Sequence, residues 1–130
     1  MEKMKAKAIE KILVTGGAGF IGSHTVDLLI EQGYHITVLD NLNSQVHRQK
    51  KIPEYLAENV NFIHADVCKK NELAKIISDV DAVIHLAALV GVGQSMYDIK
   101  RYVTDNTLGT ANLLDILVNK KNNVRKLVVA

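Results

Sequence analysis

Ile12-Leu13-Val14-Thr15-Gly16-Gly17-Ala18-Gly19-Phe20-Ile21-Gly22 is the stretch on which the reading of this chain turns. Ile12-Leu13-Val14 is apolar throughout, which suits a strand in a parallel sheet covered by helices on both faces. The glycines follow at once, and after them Ile21–Gln32 has amphipathic helical character. A glycine-rich turn between a strand and a helix is the context that a dinucleotide fingerprint requires. One glycine is needed where the chain turns sharply, a second where backbone approaches a pyrophosphate, and a third where helix and strand pack closely. Gly16, Gly19 and Gly22 can fill those roles. The helix start then aims unpaired N–H groups and its positive dipole end at the ligand, so no lysine is needed. A Walker-type phosphate loop does not fit, because no Gly-Lys-Ser/Thr follows.

Outward from this turn, short apolar runs alternate with amphipathic segments: Lys11–Thr15, Ile21–Gln32, His35–Leu39, Val60–His64, Glu72–Ser78, Ala82–Leu86, Met96–Val118 and Lys126–Ala130. This β-α-β rhythm predicts one α/β domain with a doubly wound parallel sheet, and analogy with the Rossmann-type fold gives it the strand order 3-2-1-4-5. Gly33 stands where a left-handed helix cap is expected. Residues 41–58 are polar, contain the only proline, Pro53, and read as a loop with room for a short helical turn. No repeat, low-complexity tract or linker divides the chain.

Composition narrows the function. Sixteen basic against 14 acidic residues leave a formal charge of +2, which gives no electrostatic footprint for nucleic acid or an anionic membrane. The first eleven residues carry lysines and glutamates but no hydrophobic signal core. The longest apolar stretch, Ala82 to Val92, is interrupted by His85 and falls short of the roughly 20 residues that cross a bilayer. A single cysteine, Cys68, cannot form an internal disulfide, and no metal-cage spacing occurs. A cytoplasmic protein is expected.

Several strand ends carry candidate ligand groups. Asp40 ends the second strand, near the place where an acid bonds adenosine ribose hydroxyls, and its charge argues for NAD against NADP. Arg48 downstream keeps NADP open, and a loop-capping acid is the plainer reading of Asp40. Asp66-Val67 closes the third strand, where a carboxylate and a backbone amide could meet an adenine edge. His85-Leu86-Ala87-Ala88 closes the fourth with small residues that leave room for a flat cofactor; His85 itself reads as a packed strand residue. Ile99, Val103, Asn106, Thr110, Leu113 and Leu117 follow 3-and-4 spacing, which predicts an inward stripe containing Asn106. A buried amide must find partners, here the neighbouring strand end or water.

The TGGAGFIGSH run, Asp40-Asn41, Asp66-Val67, HLAA and Asn106-x-x-Gly109-Thr110-x-Asn112-Leu113 together resemble the extended short-chain dehydrogenase/reductase superfamily. Within it the chain is similar to NAD-dependent nucleotide-sugar epimerases and dehydratases, and residues 44–47 and 90–97 look most like dTDP-rhamnose 4-epimerase-type members. The resemblance implies a bound NAD that takes hydride from C4 of a nucleotide-linked hexose and returns it to the opposite face. It places Gly16, Gly19, Phe20, Ile21 and Gly22 at the pyrophosphate, Asp40 and Asn41 at the ribose, and Asp66 and Val67 at the adenine. Leu86, Ala87 and Ala88 would line the nicotinamide side, with Asn106 beside them. Ser95 is the expected substrate contact, with a helix N-cap as its alternative role. A homodimeric parent acting on a nucleotide sugar is further implied.

The chemistry of that family needs a Tyr-x-x-x-Lys pair and a Ser or Thr after the fifth strand. Tyr34, Tyr55, Tyr97 and Tyr102 are followed four positions on by Val38, Asn59, Arg101 and Asn106, so no catalytic residue is assigned. The chain is expected to be an N-terminal portion, truncated after the fifth strand and inactive alone. A fragment of a dehydratase, decarboxylase or reductase, or a standalone NAD-binding module without turnover, is the alternative.

Overall fold

The computed structural model describes residues 8–130; the lysine-rich start read above lies, up to Lys7, outside the described residues. Five strands form one parallel sheet: β1 (Lys11–Thr15), β2 (His35–Asp40), β3 (Asn61–His64), β4 (Ala82–His85) and β5 (Lys126–Val129). Their order is β3-β2-β1-β4-β5, as expected by analogy with the doubly wound fold. Ile12 lies beside Ile36 and Ala82, and Thr15 beside Leu39 and His85, so the C-terminal ends of β1, β2 and β4 are level.

Strand pleat divides the core in two. Leu13, Leu39 and Val83 pack with Leu73 and Ile77 of α2 (Lys70–Ile77) and with Leu113 and Ile116. Ile12, Val14, Ile36, Val38 and Ala82 face the other way, toward Val26 of α1 (Phe20–Glu31). Each fully buried aliphatic side chain contributes about 1.5–3 kcal/mol. Helix α1 ends as expected: Gly33 has φ +86°, its N–H bonds Ile30 O, and Tyr34 N–H reaches back to Leu29 O. These two bonds satisfy carbonyls that the helix would otherwise leave unpaired. Residues 41–58 contain no regular element; among their turns, the one in which His47 N–H bonds Asn43 O is the short helical turn that composition left room for.

The expected single helix Met96–Val118 is corrected. One turn, α3 (Val92–Ser95), precedes a break at Asp98, after which α4 (Ile99–Tyr102), a π-helical stretch (Val103–Leu108) and α5 (Gly109–Asn119) run on continuously. A π-turn holds an extra residue per turn and so rotates everything before it relative to the 3.6 period. Ile99 and Val103, placed in the inward stripe by spacing, are accordingly 61% and 54% exposed, whereas Gly109, Asn112, Leu113 and Ile116 are buried.

Candidate functional site

A cavity of about 490 Å³ opens at the C-terminal ends of β1 and β2 and beside the loop after β4, the switch point where open α/β sheets bind ligands. Its near wall is the glycine-rich turn. Gly16 takes φ +69°, and a Cβ there would lie 2.8 Å from Ala87 N, so only glycine lets the turn and the β4 loop touch. A Cβ on Gly22 would drive into the carbonyl of Gly16, which fixes α1 directly against the turn. At Gly19 the same atom would meet only Gly16 O, at 3.3 Å. Gly19 also caps α1 without any side-chain bond to the first-turn amides. Those amides, beside a backbone with no side chain to hold a ligand off, form a cradle for an anion. No lysine or arginine is among the residues lining the cavity.

The turn is pinned from β2. Asp40 is buried, and its carboxylate accepts from Ala18 N–H at 3.1 Å and Leu42 N–H at 2.9 Å while lining the cavity. Capping the loop and facing a ligand are therefore compatible roles for one side chain. Tyr55 donates to Ala18 O at 2.7 Å, holding the same residue through its next peptide group. Burial, then the Asp40 charge, raises the Tyr55 pKa. Tyr55 carries no motif and was not singled out by sequence. Asn41 lines the cavity and accepts from Asn43 N–H, whereas Arg48 is not among the lining residues.

Asp66 and Val67 also line the cavity, two and three residues beyond β3 and not within it. Asp66 accepts from Cys68 N–H at 2.8 Å. Asn112 of α5 donates to both Val67 O and Cys68 O, tying this loop to the helix. Burial, then Asp66, pushes the Cys68 thiol up to about 11, so it stays protonated at neutral pH.

Leu86, Ala87 and Ala88 form the opposite wall. Thr15 Oγ1 accepts from Leu86 N–H and Ala87 N–H, both at 3.2 Å. Its own proton then goes to His85 Nδ1, 2.7 Å away. The neutral ring carries its hydrogen on Nε2 and donates to Thr110 Oγ1 at 3.0 Å, and Thr110 donates onward to Asn106 O at 2.8 Å. Burial lowers the His85 pKa, consistent with a neutral ring. His85 is thus the packed strand residue that its sequence position suggested. Asn106 accepts from Leu89 N–H at 2.7 Å and donates to Leu89 O at 3.0 Å. That is the strand-end partner expected for a half-buried amide. It lines a smaller hollow continuous with Leu86–Ala88, not the main cavity. Ser95 ends the α3 turn, donates to Val92 O at 2.7 Å, and neither lines the cavity nor caps a helix; Asp98 stands at the N-cap of α4.

Residues 12–130 match the model of the NAD dependent epimerase/dehydratase family. The chain belongs to that family. NAD is the cofactor that the family's description names. The chain is 42% identical to a UDP-glucose 4-epimerase of Cyamopsis tetragonoloba over 128 residues, which cover 93% of this chain and 36% of that one. A solved UDP-glucose 4-epimerase of Thermotoga maritima, with UDP-glucose, matches with TM-score 0.79 and 37% identity over 92% of this chain and 37% of that one. The Thermus thermophilus UDP-glucose 4-epimerase complex with NAD matches with TM-score 0.71 and 35% identity, covering 82% and 33%. The chain spans about a third of the length of such relatives. Among the described residues, no helix is long and apolar enough to cross a membrane, and no cluster of potential metal ligands occurs.

Proposed function

We propose that this chain is the NAD-binding portion of a nucleotide-sugar 4-epimerase of the dTDP-rhamnose/UDP-glucose type, and that the chain by itself binds NAD without turning over. The observation that carries the reading is Gly19, whose open side faces the cavity where the α1 amides converge, with carboxylates at Asp40 and Asp66 farther along the same cavity.

In this reading Gly16, Gly19, Phe20, Ile21 and Gly22 hold the pyrophosphate by backbone, Asp40 and Asn41 accept from ribose hydroxyls, and Asp66 with Val67 meets the adenine. Leu86, Ala87 and Ala88 form the apolar wall against which the nicotinamide lies, and Asn106 positions that wall through Leu89. Bound NAD supplies reversible acceptance of hydride from a sugar carbon. Ser95 would contact the sugar only after rotating its hydroxyl away from Val92 O. No tyrosine of the chain has a lysine four residues on, so no residue here is positioned to take the sugar hydroxyl proton. A homodimeric, cytoplasmic parent completes the proposal.

Native mass spectrometry of the chain with NAD tests the binding half, with one NAD per folded chain expected. NMR of UDP-glucose and dTDP-rhamnose with NAD and concentrated chain tests the other half, with no C4 interconversion above a no-protein control expected. Turnover that survives further purification would overturn the claim of inactivity. A folded chain that retains no NAD would overturn the site.

A further inference from the structure

Three acids line the cavity: Asp40, Asp66 and Asp105. Two have backbone donors, Asp40 from Ala18 and Leu42, and Asp66 from Cys68. Asp105 differs. It lies in the π-helical stretch, is half-buried, and makes no side-chain hydrogen bond among those described. Burial, and next the Asp66 charge, raises its pKa; Arg101 acts against this, and Asp98 adds to it. Cys68 Sγ donates to Thr104 O at 3.4 Å, which sets the loop carrying Asp66 against the π-helical stretch carrying Asp105, and both acids line the cavity beside Val67. An acceptor pair of this kind, with no lysine or arginine lining the cavity, is suited to a ligand group with two hydrogens to give.

We infer that Asp105 is a specificity-determining residue of the adenine subsite, accepting one hydrogen of the exocyclic amine while Asp66 accepts the other. The inference rests on the NAD-binding reading and adds a residue to it. Its logic is one of acceptor counting. An adenine amine places two N–H groups in one plane, one for each carboxylate, and separates two negative charges by a donor. A purine with a carbonyl at that position sets a third acceptor against the pair, so Asp66 keeps only its Cys68 N–H and Asp105 gains no donor from that position, which makes such a ligand the weaker one. The π-turn supplies the geometry: it carries Asp105 into the cavity while the next residue, Asn106, holds Leu89.

The test compares NAD with nicotinamide hypoxanthine dinucleotide, which differs by replacement of that amine with a carbonyl. Both are titrated calorimetrically into the full chain and into Asp105→Asn and Asp105→Ala. The native chain should prefer NAD by roughly ten- to a hundredfold, the size of one or two charged hydrogen bonds. Asp105→Asn, whose amide can donate to the carbonyl, should bind the hypoxanthine dinucleotide more tightly than the native chain does and bring the ratio within about threefold. Asp105→Ala should weaken NAD without that gain. A merely structural role would weaken both ligands equally. A native chain that binds NAD with a ratio unchanged by Asp105→Asn would overturn the inference and leave the binding reading intact. A native chain that binds neither would overturn both.

Discussion

The glycine-rich turn and the loop after β4 face each other across one cavity, yet they are held by opposite means. The turn is fixed by what is missing: Gly16, Gly19 and Gly22 leave space that the Ala87 backbone, a ligand and the Gly16 carbonyl respectively occupy or would occupy. The β4 loop is fixed by what is present, a run of hydrogen bonds through Thr15, His85, Thr110 and Asn106 that ends on Leu89. Steric fixation fails all at once when an atom is added. Hydrogen-bonded fixation loses its members one at a time.

The largest effect should follow from filling the turn. Gly22→Ala places a Cβ inside contact distance of the Gly16 carbonyl, which belongs to backbone and cannot swing away. A loss of about 3 kcal/mol in stability, the upper end for overpacking, is expected in urea unfolding, with NAD binding lost as well. Gly19→Val should separate those effects. It ought to abolish NAD binding yet stay within about 1 kcal/mol of native stability, because the new side chain points into the cavity. Unimpaired NAD binding by folded Gly19→Val would remove the pyrophosphate from that position.

On the other wall, Asn106→Ala leaves Leu89 N–H and C=O without their partner. A cost of about 1–3 kcal/mol is expected, together with weakened NAD binding and loss of hydrogen-exchange protection at Leu89. Unchanged protection there would show that the loop holds itself. The smallest effect is the titration of His85. Its pKa in the folded chain lies below the ordinary 6.5 because of burial, so the unfolded chain binds the extra proton first. Its contribution is complete above about pH 6.5 and is lost as pH falls toward the folded value. Protonation would also force Nδ1 to give up the Thr15 proton. His85→Asn should flatten the acid side of the stability profile below pH 6.5; an unaltered slope would assign that slope to other groups.

The same contrast explains what was legible in the sequence. The turn is local: eleven consecutive residues carry strand, glycines and helix start, the alternating rhythm around them is enough for a doubly wound sheet, and the order 3-2-1-4-5 follows by analogy with that fold. Asp40, Asp66 and Val67, which line the cavity, are legible as candidates because they stand at or just beyond strand ends, whereas Asn41 enters only through the family resemblance. The β4 wall is written in residues 15, 85, 106 and 110, far apart in sequence, and only Asn106 showed as an oddity. The π-turn was invisible, because one extra residue in a helical turn leaves composition unchanged and merely rotates the pattern. Spacing therefore put Ile99 and Val103 inside when they lie outside. Asp105 was hidden for the same reason, and Tyr55 because residues 41–58 have no period to read.

On the proposed function, this cavity takes NAD through a backbone cradle and the Asp40 carboxylate. Calorimetric titration of NAD and NADP into the native chain and Asp40→Ala tests it most directly. The native chain should bind one NAD and prefer it to NADP at least tenfold. Asp40→Ala should weaken NAD roughly ten- to a hundredfold through the lost charged hydrogen bond, the loosened Ala18 peptide included. Equal affinity of the native chain for both cofactors, or undiminished NAD binding by Asp40→Ala, would contradict it.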